Sequence, residues 1–507
     1  MVKKSKISTG IKKPDKNTYE NYVLESMQDL RLQNIKNVVR HNRYAQMLII
    51  LTIVAFFLRF FNLTYNSLWL DEAATYEFAQ LSFSELWETM TGGERNPPLF
   101  YYIEHILISI FGASEFVLRL IPALVGSLTI PVFYLIGREV IGRLGGIISA
   151  GILTFSSYHI FYSQDARAYT LVLFFFSIAI LYYIYALNDS KLKHWILCGV
   201  FCSLSFWTHM YVVIAIVALF LHAVIEKRKN ILKNIGDLRQ ITIGVVAFII
   251  PSLPLLIVTL TLFLKQTSAG APTWGLTGLS IITTTVTQFS GYTSYLTVIF
   301  ILLFIAGLIF LFVNKEKRYF GTLVSLSILF SFVGTFIFST MSSISPRHLI
   351  FIIPFYFITI SATFCLIPKT IDYHKVAVIV LILLCLINLP YLSTYYTSYS
   401  KEDWKGVSGT LTSLTNDGDY VVPVPSYMSL PLDYYYNATA DMTIEKGASS
   451  EEELLNIENI REDGTIVYYI VTWDIMAVDP SGKALNWLNE NSVFIGQNTG
   501  IYVFKNT

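Results

Sequence analysis

Charge is scarce in this chain: only 14% of its 507 residues are Asp, Glu, Lys or Arg, and the formal net charge is +1. With 54% apolar and 15% aromatic residues and a mean hydropathy of +0.54, that scarcity excludes a soluble globular protein. No nucleic-acid partner is expected. Cysteine is almost absent. Cys198, Cys202, Cys365 and Cys385 all lie in apolar stretches without a Cys-His grouping at metal spacing, so neither a disulfide framework nor a zinc site is implied. A cleavable signal peptide is not evident either. The first apolar stretch starts near Gln46, has full spanning length and lacks a small-residue cleavage site, so it is expected to remain as an anchor.

What is present is a series of apolar segments, several longer than the roughly 18 residues that cross a bilayer. Residues 1–45 carry ten Lys/Arg against four Asp/Glu, and residues 393–507 carry six against sixteen. The basic end is therefore expected in the cytoplasm, as a tail able to lie on membrane lipids, and the acidic end outside. Residues 46–392 read as the membrane domain. Its acidic first outer loop, 64–98, is followed by a short segment, 99–111, containing Glu104 and His105. If 99–111 spanned, the basic loop with Arg138 and Arg143 would fall outside, so 99–111 is assigned to the interface. Residues 195–225 are too long for one helix and begin and end at basic loops, which predicts two short spans meeting near Thr208-His209. The total is about eleven spans.

After Leu392 an amphipathic helical pattern (Trp404, Val407, Leu411, Leu414) alternates with β-like runs at 420–424, 465–472 and 500–504. The fold class is thus a polytopic α-helical membrane protein with a small extracytoplasmic α/β domain at 393–507, which contains a sequon at Asn437-Ala438-Thr439.

Ionisable groups at membrane depth are expensive, so clusters recurring on one face mark a functional site. The outward set comprises Asp71 and Glu72, Asn96 before Pro97-Pro98, Asp165 and Arg167, His209, and Arg347 with His348. Carboxylates near guanidinium groups suit deprotonation of a hydroxyl while a phosphate leaves. Arg offers bidentate donors to phosphate oxygens, and a carboxylate within hydrogen-bond reach of the hydroxyl acts as general base.

Five ordered motifs carry a resemblance: Leu68-Trp69-Leu70-Asp71-Glu72; Asn96-Pro97-Pro98-Leu99; Tyr162-Ser163-Gln164-Asp165-Ala166-Arg167-Ala168-Tyr169; Thr208-His209-Met210-Tyr211; and Pro346-Arg347-His348-Leu349. Over about 46–392 the chain resembles the polyprenyl-phosphate-sugar-dependent glycosyltransferases of the type C membrane fold (GT-C). Among them it is most similar to the prokaryotic branch of the protein O-mannosyltransferase and aminoarabinose transferase superfamily. The resemblance implies that a monosaccharide, mannose or another hexose, passes with inversion from a polyprenyl phosphate to a protein, lipid-linked glycan or cell-surface polymer outside the membrane. It implies Asp71 as the base with Glu72 its partner, and Arg167, Arg347, Asp165 and Gln164 around the donor phosphate. Asn96, His209, His348 and Tyr169 would touch substrate. Asn96 departs from the aminoarabinose branch, which has Lys before the double proline. No cofactor is implied; Asp71, Glu72 and Asp165 are the residues that would hold a divalent metal in a minority version of the mechanism.

The rival class, a transporter or lipid flippase, predicts charges in mid-span, broken helices in both halves and an internal repeat. Here the charges gather on one face and no such repeat is visible.

Overall fold

The computed structural model describes residues 32–92, 96–231, 235–266, 275–368, 370–436, 447–461 and 464–506. The sequon at Asn437 lies outside them. Among the described residues, nine helices are long and apolar enough to cross a membrane. One, Glu115–Phe155, is two helices that reverse at Gly142, whose φ of 85° is open to glycine and strained for other residues. Glycines also let the two arms meet backbone to backbone, since a Cβ on Gly137 would stand 2.7 Å from the Cα of Gly146. The 17-residue helix Leu192–Thr208 falls just below spanning length, and it ends where the sequence predicted a break. His209 is extended (φ −157°, ψ 120°), and the turn Met210–Val212 starts the next helix, Val213–Ile231. Counting the Gly142 reversal as two arms and adding Leu192–Thr208 gives eleven apolar helical segments among the described residues, the number the sequence predicted.

Burial sorts the spans. In Pro346–Leu366, 78% of the apolar window is buried, so this segment runs through the centre. Ser294–Val313 is more hydropathic yet only 22% buried, a helix apolar on all sides and exposed to lipid. The predicted outer loop 64–98 is itself helical, with Leu70–Gln80 and Phe83–Gly92 inside it. The predicted interfacial segment is the helix Leu99–Phe111. In the first turn of Leu70–Gln80 the Glu72 carboxylate accepts the Trp69 backbone N–H at 3.4 Å, at the end where the helix dipole favours negative charge.

The C-terminal domain is a four-stranded sheet, ordered β1-β2-β4-β3, where β1 is Tyr420–Val424, β2 Val467–Thr472, β3 Ser492–Asn498 and β4 Ile501–Asn506. β1 and β2 are parallel, and the other pairs are antiparallel. Alternate residues feed two cores: Val422, Tyr469 and Val471 pack with Trp487 and Leu488, while Val421, Tyr468 and Ile470 pack with Trp404, Val407 and Leu411. The predicted strands and the helix Trp404–Leu414 are present; β3 was not predicted. The domain seats on the loop that precedes Leu70–Gln80. Tyr435 Oη accepts the Leu68 N–H at 2.7 Å, Lys405 Nζ pairs with Glu115 at 2.7 Å, and Ser400 N donates to Asn66 Oδ1 at 2.8 Å.

A Cβ on Gly307 would overlap the Thr359 carbonyl oxygen, whereas Gly409 faces open space in its helix. Gly307→Ala is expected to destabilise by about 1–3 kcal/mol as an overpacked contact, and Gly409→Ala to stabilise by up to ~1 kcal/mol through helix propensity. Thermal unfolding in detergent checks both signs.

Candidate active site

The helix Leu70–Gln80 places consecutive residues about 100° apart around its axis. Asp71 and Glu72 consequently face different surroundings. Asp71 lines a cavity of about 460 Å³ together with Asn96, Arg167, Tyr169, His209, Arg347 and His348. Its Oδ2 lies 3.0 Å from Arg347 Nη1 in a partly exposed ion pair. The Arg347 guanidinium rests on the rings of Trp69, at 5.2 Å, and Tyr169, at 5.9 Å, and its Nε is buried without a partner. Arg167 holds the same helix from beneath: Nη1 donates to the Asp71 carbonyl at 3.1 Å, to Tyr101 Oη at 3.2 Å and to Thr75 Oγ1 at 3.4 Å.

The histidines form a neutral wall. His348 Nδ1 accepts the Ser345 backbone N–H at 3.3 Å, which leaves the ring proton on Nε2, and its ring stacks on Tyr211 at 5.3 Å. The His209 ring lies 5.6 Å from that of His348. Burial, reinforced by Arg167 and Arg347, holds His209 down to about 3, so it is uncharged at physiological pH. The opposite wall is apolar, built from Leu256, Leu260 and Phe263 of the helix Gly236–Gln266 and from Phe338. Leu260 is 59% exposed, so this wall continues onto the outer surface of its helix.

Glu72 is fully buried. Arg119 grips it with both ends of its fork, Nε to Oε1 and Nη2 to Oε2, each at 2.7 Å, while Lys401 Nζ donates to Oε2 at 2.9 Å and the Ala166 N–H to Oε1 at 2.8 Å. Arg119 also donates to the carbonyls of Leu63, Asn66 and Ser67 at 2.8–3.0 Å, fixing the loop that leads into the helix. Burial pushes the Glu72 carboxyl up, but Arg119 and Lys401 outweigh it and hold the group down to about 2. Asp165 accepts from Trp69 Nε1 at 2.7 Å and Lys401 Nζ at 3.0 Å; its burial outweighs Lys401 and pushes it up.

Comparison with known proteins bears on the fold. Residues 95–257 match the sequence model of the dolichyl-phosphate-mannose-protein mannosyltransferase family. The crystal structure of ArnT from Cupriavidus metallidurans bound to undecaprenyl phosphate superposes with a TM-score of 0.55 at 13% identity, covering 92% of this chain and 98% of that one. The oligosaccharyltransferase AglB from Archaeoglobus fulgidus, in complex with an inhibitory peptide and a dolichol-phosphate, gives 0.51 at 14% identity over 92% of this chain and 75% of that one. The chain has the type C glycosyltransferase fold. The sequence match to that family covers about a third of the chain. A protein named only as uncharacterized, from Aquifex aeolicus, is 29% identical over 147 residues, which span 27% of this chain and 30% of that relative.

Within the GT-C fold, seven of the ten residues singled out in the sequence meet at one cavity. The other three turn away. Glu72 is consumed by Arg119 and Lys401, so its carboxylate does not reach the cavity beside Asp71. Asp165 supports Trp69 and Lys401 and does not line the cavity. Gln164 donates to the carbonyls of Arg59 and Phe61 at 3.1 and 2.8 Å and accepts from Tyr395 Oη at 2.8 Å, which ties the first span to the last. The reason is common to all three: a polar group buried at the membrane boundary must find its partners within the protein. Sequence reasoning missed Arg119 and Lys401. Arg119 carried a signal, a guanidinium inside an apolar run; Lys401, 329 residues from Glu72, carried none.

Because Glu72 is held near 2 against an ordinary value of 4.5, its carboxylate stabilises the fold above about pH 4.5 and loses that contribution as the pH falls toward 2. Glu72→Gln leaves Arg119 buried without its counter-charge. It is expected to cost about 3–5 kcal/mol, read as a lower Tm and a flatter acid limb of stability against pH.

Proposed function

We propose that this GT-C chain transfers a monosaccharide, mannose or another hexose, from a polyprenyl phosphate to an acceptor hydroxyl on the extracytoplasmic side, with inversion and with Asp71 as the base. The observation that carries the reading is the Asp71–Arg347 pair at 3.0 Å, in a cavity that also holds Arg167 and whose other described lining side chains are neutral. Among the described residues, two guanidinium groups against one carboxylate leave the cavity short of one negative charge, which a phosphate monoester supplies. The apolar wall that runs out along Gly236–Gln266 suits an isoprenoid tail. The ArnT and AglB structures were obtained with undecaprenyl phosphate and with dolichol-phosphate, which supports the donor class.

Chemically, the donor phosphate competes with Asp71 for Arg347. Once released, the Asp71 carboxylate accepts the proton of the acceptor hydroxyl. The hydroxyl oxygen bonds to the anomeric carbon as the bond from that carbon to the phosphate oxygen breaks, and the electron pair leaves on the phosphate. Arg347 and Arg167 neutralise it. A single displacement inverts the anomeric centre. Neutral His209 and His348 offer hydrogen bonds to sugar hydroxyls without competing for the phosphate.

The way the carboxylates are spent supports a transfer independent of metal. Glu72 and Asp165 are engaged by Arg119 and Lys401, which leaves Asp71 as the carboxylate lining the cavity among the described residues. The inhibitory peptide on AglB supports a protein acceptor ahead of a lipid-linked glycan or surface polymer.

Purified enzyme given polyprenyl phosphate mannose or glucose is expected to transfer sugar in the presence of chelator. Asp71→Asn should lower kcat by about 10²–10⁴, the worth of a general base, and Arg347→Met by about 10²–10³ through lost charge stabilisation. Full activity in Asp71→Asn would refute the assignment, and loss of wild-type activity on chelation would restore the metal.

A further inference from the structure

We propose that Lys401 is a positioning residue for the transfer step, one that makes turnover conditional on the docked C-terminal domain; the inference rests on Asp71 being the base. Lys401 follows the last span, Tyr373–Thr397, and opens the outer domain, yet its ammonium is buried in the membrane domain. Nζ bridges Glu72 Oε2 at 2.9 Å and Asp165 Oδ1 at 3.0 Å.

Each contact leads to one side of the cavity. Glu72 is the neighbour of Asp71 in the first turn of Leu70–Gln80, so its position sets the rotation of the helix that aims Asp71. Asp165 accepts from the indole of Trp69, and the face of that indole carries the Arg347 guanidinium. One ammonium thereby fixes both partners of the Asp71–Arg347 pair without touching either. Lys401 is coupled to the domain behind it. The next residues hold the same loop from outside, with Lys405 N on Ser67 Oγ at 3.1 Å and Tyr435 Oη on Leu68 N at 2.7 Å. A domain that lifts would draw Lys401 out of the cluster.

Arg119 and Lys401 balance Glu72 and Asp165, so Lys401 also neutralises charge, and the test must separate neutralising from positioning. A phosphate held by two guanidiniums tolerates small displacements of the helix, whereas a base misplaced by about 1 Å loses rate on the order of 10²-fold. In the full-length enzyme, Lys401→Met is therefore expected to lower kcat about 10- to 100-fold, the usual scale for a supporting contact, with the acceptor KM within about twofold of wild type. Lys401→Arg, which keeps the charge and a second donor, should recover most of the loss. Lys401→Met combined with Asp165→Asn restores neutrality and should stay slow.

Wild-type kcat in Lys401→Met, or recovery in the double variant, would overturn the proposal, the second by showing that charge balance alone matters. Hydrogen exchange reads the same variants without substrate: amides of residues 70–75 should exchange faster in Lys401→Met than in wild type or Lys401→Arg, and unchanged exchange would also overturn it. A wild type inactive with every donor would instead refute the reading of the cavity, and exchange would then decide Lys401 alone.

Discussion

The structure depends on four charges buried at the membrane boundary: Glu72 and Asp165 held by Arg119 and Lys401. Ions taken out of water lose several kcal/mol of solvation each, and only close, hydrogen-bonded opposite charges offset that. The cluster satisfies the condition with contacts of 2.7–3.0 Å. Its members come from four separate places: the helix Leu70–Gln80, the helix Glu115–Phe155, the loop before Tyr169, and the entry to the outer domain. The requirement for local neutrality therefore fixes how these pieces meet. Asp71 on that helix and Arg167 beyond Asp165 are placed relative to it.

This explains why two adjacent carboxylates have opposite fates. Glu72 is immobilised in a fully paired, dry environment where it can neither exchange protons at ordinary pH nor meet a substrate. Asp71, one residue earlier, keeps a partly exposed side chain and an exchangeable ion-pair partner, Arg347. An immobile charge gives precision, and an exchangeable one gives reactivity. The aromatic floor under Arg347 adds to this. Trp69 and Tyr169 hold the guanidinium by cation–π contact, which survives when its anion partner changes from carboxylate to phosphate.

Much of this was legible in the residues. Apolar run length and the sign of the intervening loops gave eleven segments and the break at His209, because bilayer thickness and loop charge constrain a polytopic chain tightly. One-sided clustering of Asp71, Asn96, Arg167, His209 and Arg347 was likewise visible, since polar groups are too costly in lipid to occur by chance. Less visible was which of two neighbouring acids faces the cavity. That depends on helix phase and on Arg119 and Lys401, which lie 47 and 329 residues away. Strand β3 escaped for a local reason: Ser492–Asn498 is a largely exposed edge strand containing Gly496 and without a clean apolar alternation.

The account's central claim is that donor phosphate and Asp71 compete for Arg347. Equilibrium binding of a polyprenyl monophosphate to wild type and Asp71→Ala tests it directly. Removing the competing carboxylate should tighten lipid-phosphate binding by up to about fivefold, the factor that corresponds to the ~1 kcal/mol of a partly exposed ion pair. Weaker binding by Asp71→Ala would contradict it, because Asp71 would then be helping to hold the phosphate, directly or through a cation, and would not be yielding Arg347 to it.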